Sequence, residues 1–444
     1  MDAERSSSET PPGPRGLPIV GADPAMILGR LDFRTRVARE YGDYVHWQGM
    51  RGPVYQFNHP DDIEHVLVQN NQNYVKGESF QQILEPLTGN GILNSHGEEW
   101  RRNRRLIQPA FHPERIEVYA GMMTGFTEGM CRTWSDGETR LIHDDMMELT
   151  LQIVAKALFG VDVEDHLAEI GAALDAYLPA SSSLANVILP KAIPLPSRRK
   201  MRDARDTLDG IVDEIIQERR RNPGDDVVSK LLFAEDGGHE LSEQQIHDEV
   251  ITLLTAGHET TAVSMTYTIY LLSQHPRVER QLVAELDEVL GERTPEMGDL
   301  PGLSYTERVI KESMRLFPPV PIIVREAVEP DTIGGYSVPA GATVYASQWV
   351  VHRDSRWYDD ALAFRPERWT DELEASLPRL AYFPFAAGPR RCIGDRFAML
   401  EARLILATMY QNYHLELRSD RNIEVIPTVT SRPKEDVVMA VHER

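Results

Sequence analysis

Apolar residues recur at helical spacing over several long stretches of this chain, and at strand spacing over only a few short ones. One clear helical run is Asp395 to Gln411, with Phe397, Leu400, Leu404 and Met409 on its apolar face. The stretches from Glu117 to Val161 and from Asp203 to Arg221 are amphipathic at the same period. A helix from about Thr306 to Phe317 is stopped by Pro318-Pro319, and a shorter one is expected from Asp61 to Gln69. Ser242 and Gln245 have the spacing of a capping box, and the pattern behind them runs to Gln274, before His275-Pro276. At 1.5 Å per residue that helix is roughly 50 Å long, enough to cross a whole domain. Weak alternation from Val45 to Phe57, the apolar run Val320 to Val324 and alternating segments between Ile333 and Val351 predict small sheets. The expectation is a mainly α protein with small β-sheets.

The breaks between these elements are equally legible. Residues 77–94 carry Pro86, Gly89 and Gly91 and are expected to form a loop with short helical turns. Leu178 to Lys200 holds four prolines and a run of three serines, so it cannot be one continuous helix. It reads either as a mobile lid over an apolar pocket or as a loop packed on a neighbour. Residues 1–16, rich in serine and proline, are expected to be a disordered tail, leaving 17–444 as a single domain.

Composition narrows the function. The chain has 444 residues, a 41% apolar fraction and no apolar run near the roughly 20 residues of a membrane span. Its start has no signal-peptide pattern, and two cysteines, Cys131 and Cys392, suit a reducing cytoplasm rather than a disulfide scaffold. A net charge of -22 argues against nucleic acid or an anionic membrane as the main partner. Only seven of the 47 basic residues are lysine, and this acidic, lysine-poor surface is what adaptation to high salt would produce.

The chemistry centres on Phe385-Ala-Ala-Gly388-Pro-Arg390-Arg391-Cys392-Ile-Gly394. Cys392 stands just ahead of the helical run at Asp395, where backbone N–H groups and the positive helix end favour a thiolate. Such a thiolate is a metal ligand or a nucleophile, and the motif alone does not choose. Earlier in the chain, Trp100 and Arg104 are four apart and share a helix face within an arginine-rich run, Arg101 to Arg105. Their own pattern fits a solvated basic face as well as an anion site. In the long helix, Ala256-Gly257-His258-Glu259-Thr260-Thr261 interrupts an apolar run with polar groups that need partners if buried. Either they form a polar kink facing solvent, or they border a groove beside the helix where O2 can bind and Glu259 and Thr260 relay protons.

The spacing Phe385-x-x-Gly388-x-Arg390-x-Cys392-x-Gly394 resembles the haem-binding loop of the cytochrome P-450 family. Ala256-Gly257-x-Glu259-Thr260 and Glu312-x-x-Arg315 resemble two further motifs of that family, in the family's order, and the likeness extends from about residue 11 to the C-terminus. The resemblance implies the cytochrome P-450 fold, with the long central helix crossing a haem b, and Cys392 as axial ligand of its iron. It implies Arg390, Trp100, Arg104 and, ten residues after Arg315, Arg325 as contacts to the haem propionates, with Phe385 packed near the sulfur. Thr260 and Glu259 are the implied catalytic pair that delivers protons for O–O cleavage. Glu312, Arg315 and Arg368 would form a buried triad that locks the loop before the cysteine, and the loop at 77–94 would cover the substrate. His352 is family-like with no derivable role. The implied activity is a haem-thiolate monooxygenase, acting on an apolar small molecule with O2. Its electrons would come from a separate ferredoxin or flavodoxin-type donor with its reductase. A monomeric, cytoplasmic enzyme without a membrane anchor is expected. A peroxide-driven haem peroxygenase or isomerase is the alternative within haem chemistry. A haem-binding protein without turnover and a thiol hydrolase are the rivals outside it.

Overall fold

A computed structural model describes residues 10–17, 21–181, 183, 185–186, 189, 193–233, 241–418 and 422–444. The chain divides into two compact units. The first comprises Met1–Gln82, Met314–Phe364 and Arg368–Cys392, and the second Ile83–Ser313, Arg365–Glu367 and Ile393–Arg444.

The first unit is built on a five-stranded sheet in the order Tyr44–Gly49, Gly52–Phe57, Thr343–Ala346, Ile323–Ala327, Tyr74–Val75. Only the pairing of Gly52–Phe57 with Thr343–Ala346 is parallel, and the long chain between these strands leaves room for the crossover that a parallel pair needs. Tyr55, Phe57, Ile63, Val66, Leu67, Tyr74, Val344 and Phe383 share its core. Residues 10–16, expected in a disordered tail, are partly ordered by backbone pairing: the His46 amide donates to the Pro12 carbonyl. Pro11 is buried there as well. The remainder of the expected tail lies outside the described residues.

The second unit is helical. Ser242 caps the helix Glu243–Gln274 through the anticipated box with Gln245. The predicted stretch Glu117 to Val161 is two helices, Pro113–Cys131 and Ile142–Phe159, separated by the edge strand Thr139–Leu141. The segment expected as a loop at 77–94 holds the helix Glu78–Thr88, which keeps Pro86 in its last turn. The loop behind it is tied to the long helix by carboxylates. Asp248 accepts the Asn90 amide at 2.8 Å, and Glu249 accepts the Ile92 amide at 2.8 Å. Parts of Leu178 to Lys200 lie outside the described residues; its first part continues the helix Leu167–Ser181, and its last part opens the helix Pro196–Arg221.

Gly257 has a packing reason. A Cβ there would come within 2.7 Å of Val154 Cγ2 on the helix Ile142–Phe159. The same contact is braced by the Thr150 hydroxyl, which donates to the His258 carbonyl at 3.0 Å. Gly257→Ala gains about 1 kcal/mol of helix propensity but overpacks the contact by about 1–3 kcal/mol. Its urea midpoint is therefore expected to fall, and the double variant with Val154→Ala is expected to lose less than the two single changes added together.

Among the described residues no helix is long and apolar enough to cross a membrane.

Candidate functional site

The candidate residues divide between the units. In the first, the segment Phe383–Cys392 is held by an internal ladder. The Ala386 amide donates to the Phe383 carbonyl at 2.9 Å, Arg391 to Gly388 at 3.1 Å, and Cys392 to Phe385 at 3.0 Å. Ala386 and Gly388 have φ of 58° and 69°. Glycine is required at 388, because a Cβ would stand 2.0 Å from the Leu67 carbonyl oxygen. Cys392 is exposed at the end of this ladder, while Cys131 in the second unit is buried.

His352 and Gln348 brace the ladder at its origin. Gln348 Nε2 donates to the Phe383 carbonyl at 2.6 Å, and the Phe383 amide donates to His352 Nε2 at 2.9 Å. Burial first, and then Arg315 and Arg353, push the His352 pKa well below its usual value. A neutral imidazole can accept that amide and an imidazolium cannot. The histidine without a derivable role is therefore a support for the cysteine segment.

Arg325 and Arg390 are joined by Lys76, which sequence reasoning missed. Lys76 lies close enough to Arg325, Arg390 and Cys392 for each to act on its charge, and burial, followed by the two arginines, lowers its pKa well below normal. Arg325 is buried on the strand Ile323–Ala327, and its one hydrogen bond among the described residues goes to the adjacent Val324 carbonyl, at 2.8 Å. Burial pushes its pKa down to about 10, and it forms no carboxylate ion pair among the described residues. A cation buried in this way is costly unless an anion reaches it. Three cations and a cysteine on one site fit a metal-bearing group that carries carboxylates of its own, as haem does.

Two members of the expected triad, Arg315 and Arg368, hold backbone carbonyls. Arg315, fully buried, donates to the carbonyls of His352 (2.7 Å), Ala361 (2.6 Å) and Ala363 (3.1 Å). Arg368 also reaches the Ala363 carbonyl, at 3.2 Å. In the second unit the Glu312 carboxylate accepts the Arg365 amide at 2.9 Å.

The second unit holds the other four candidates. Trp100 and Arg104 share one face of the helix Gly97–Ile107, the guanidinium carbon 5.8 Å from the ring centroid. Thr260 is partly exposed on the long helix, its hydroxyl donating to the Ala256 carbonyl at 2.9 Å. Glu259, one position earlier, is buried and engaged rather than free. Its Oε1 accepts the Thr430 hydroxyl at 2.6 Å and a short contact from Arg432 Nε. Neither partner was visible in the sequence, since the hairpin Val425–Pro427 and Ser431–Pro433 carries no motif. His258 points into the packing instead. Burial, then Arg432, lowers its pKa to about 3, and it stays neutral.

Residues 11–439 match the Cytochrome P450 family, and the chain belongs to it. It is 37% identical to cyclooctatin synthase of Streptomyces melanosporofaciens, over 89% of this chain and 88% of that protein. It is 35% identical to cyclooctat-9-en-7-ol 5-monooxygenase of the same organism, over 90% and 88%. Pentalenene oxygenase of Streptomyces avermitilis is 33% identical over 94% of both chains. The protein is a cytochrome P450 monooxygenase, a haem enzyme that acts on apolar substrates and draws electrons from a redox partner.

Proposed function

We propose that the chain oxidises a terpene hydrocarbon or an alcohol derived from one, with haem b bound through Cys392 and electrons from a ferredoxin or flavodoxin-type donor and its reductase. The observation that carries the cofactor assignment is the buried Arg325, which lies beside Lys76 and forms no carboxylate ion pair among the described residues. The substrate class rests on the names of the relatives, two of which act on cyclooctat-9-en-7-ol and pentalenene. Haem held by a cysteine thiolate supplies O2 activation. Arg325, Arg390 and Lys76 would bind the carboxylates of the group, and Trp100 and Arg104 are the further propionate contacts that the family resemblance implies. Phe385 positions the sulfur through its carbonyl, which takes the Cys392 amide. Thr260 holds a proton at its hydroxyl and Glu259 resupplies it. The enzyme acts as a cytoplasmic monomer.

The test is a substrate-induced spin-state shift across cyclic terpenes and their monohydroxylated forms. A saturable shift with members of that set, and none with fatty acids, is the expected result; shifts with fatty acids alone would remove the terpene assignment. Thr260→Ala is expected to lower product formed per O2 consumed several-fold while leaving the substrate shift unchanged. If turnover instead runs on hydrogen peroxide and ignores Thr260→Ala, the peroxygenase reading replaces this one.

A further inference from the structure

Residues 89–95 lie directly on the long helix, backbone against side chain. A Cβ at Gly89 would stand 2.1 Å from Asp248 Oδ1, and one at Gly91 would stand 2.3 Å from the Thr252 hydroxyl oxygen. Inside this contact Glu249, only 1% exposed, joins three segments. Its Oε2 accepts the Ile92 amide at 2.8 Å, and its Oε1 accepts Asn103 Nδ2 at 2.6 Å from the helix Gly97–Ile107. The charged groups that act on it are both acidic: Asp248, next to it on the long helix, and Glu99, on the helix that carries Asn103. It forms no ion pair with arginine or lysine among the described residues.

We propose that Glu249 is a pH-operated clasp: as a neutral acid it holds residues 89–95 and the helix Gly97–Ile107 against the long helix, and its ionisation lets that strap lift. A neutral carboxyl offers one acceptor and one donor. Its carbonyl oxygen keeps the Ile92 amide, and its O–H is accepted by Asn103 Oδ1 once that side-chain amide turns end for end. Ionisation instead leaves a charge in a dry contact beside two further carboxylates, with two hydrogen bonds to offset it. Burial first, opposed by the Ile92 and Asn103 bonds and reinforced by Asp248 and Glu99, raises the Glu249 pKa to about 8. When the strap lifts, water reaches the carboxylate and its pKa returns toward the ordinary glutamate range. The closed form is thus the one that binds the extra proton. Closure is strongest below the ordinary carboxylate range, weakens as pH rises through it, and stops weakening above about 8. On the expectation that residues 77–94 cover the substrate, the clasp leaves that cover looser in alkaline than in acid solution.

Amide hydrogen exchange on the haem-loaded full chain reads the strap directly, without turnover. In peptides covering residues 89–95, opening is expected to rise by up to about tenfold per pH unit between about pH 6 and 8 and to flatten above that. Glu249→Gln keeps a neutral acceptor and donor in the same space, so its opening is expected to stay flat with pH. Comparing the two proteins at each pH cancels the base-catalysed rate of exchange itself. A parent profile as flat as that of Glu249→Gln overturns the clasp. A slope that persists in Glu249→Gln overturns it as well, and assigns the response to another group such as His247, whose Nδ1 is 4.0 Å from Asp248 Oδ1. Should Glu249→Gln fail to fold, the parent decides alone, with exchange corrected for the intrinsic rate. Residues 89–95 must then loosen with pH while the helix Ile142–Phe159 of the same unit does not; a flat response, or one common to both, overturns the clasp.

Discussion

Cys392→Ser is expected to abolish monooxygenase turnover and the red-shifted Soret band of the reduced carbon monoxide complex, while much of the fold survives. The side chain stands at the exposed end of the Phe383–Cys392 ladder, whose hydrogen bonds are all backbone to backbone. Exchanging sulfur for oxygen removes none of them, so the segment keeps its shape and loses only its donor atom. Serine is a poor ligand for the iron because its hydroxyl stays protonated near neutral pH, whereas a cysteine thiolate is readily formed and softer. Lys76, Arg325 and Arg390 remain to hold the carboxylates of the group, so some haem is expected to stay bound without its thiolate. The measurement is the reduced carbon monoxide difference spectrum beside the haem content. A variant that kept the thiolate-type band would remove Cys392 from the iron.

The parts of the site written as short-range spacing could be read before the structure, and those made by long-range packing could not. Ser242 and Gln245 mark a helix start because a capping box is local, and the structure keeps both of its bonds. The Phe385 to Gly394 loop was legible because its tight geometry allows few residues at fixed offsets, as the Leu67 carbonyl behind Gly388 makes plain. Lys76 was missed because a lysine after a short strand has no local signature, and only the sheet brings it to Arg325. Arg432 and Thr430 lie about 170 positions from Glu259 in sequence, in a hairpin whose residues form no pattern. The packing role of Gly257 was not legible, because a glycine within a polar interruption says nothing of what faces it. The facing Val154, which makes it a close contact, is a feature of tertiary packing. Pro86 contributed to the loop expectation, but it lies in the last turn, where it forfeits a single N–H bond and only two helical residues follow it.

Arg315→Met is expected to be among the most destabilising single changes in the first unit, and to act on the haem without touching it. Arg315 is wholly buried, yet its guanidinium is spent on three backbone carbonyls and lies 4.8 Å from the Tyr358 ring centroid. Methionine fills similar space and offers no donors, so the carbonyls of His352, Ala361 and Ala363 lose these bonds inside the protein. Breaking a buried charged network of this kind costs about 3–5 kcal/mol. The His352 carbonyl is the sensitive point, because the same residue uses its ring to take the Phe383 amide from which the cysteine ladder starts. Loosening His352 therefore disorders the segment that presents Cys392. The expected outcome is a lower urea midpoint together with a haem-to-protein ratio well below that of the parent. Arg315→Lys should recover only a fraction, since one ammonium cannot reproduce a fork spread over three carbonyls. His352→Ala separates the two effects: haem loading should fall as in Arg315→Met, with a smaller loss of stability, because one hydrogen bond rather than three is removed. If Arg315→Met were fully loaded and as stable as the parent, the arginine would be incidental to the loop, and His352, Gln348 and Gly388 would support Cys392 without it.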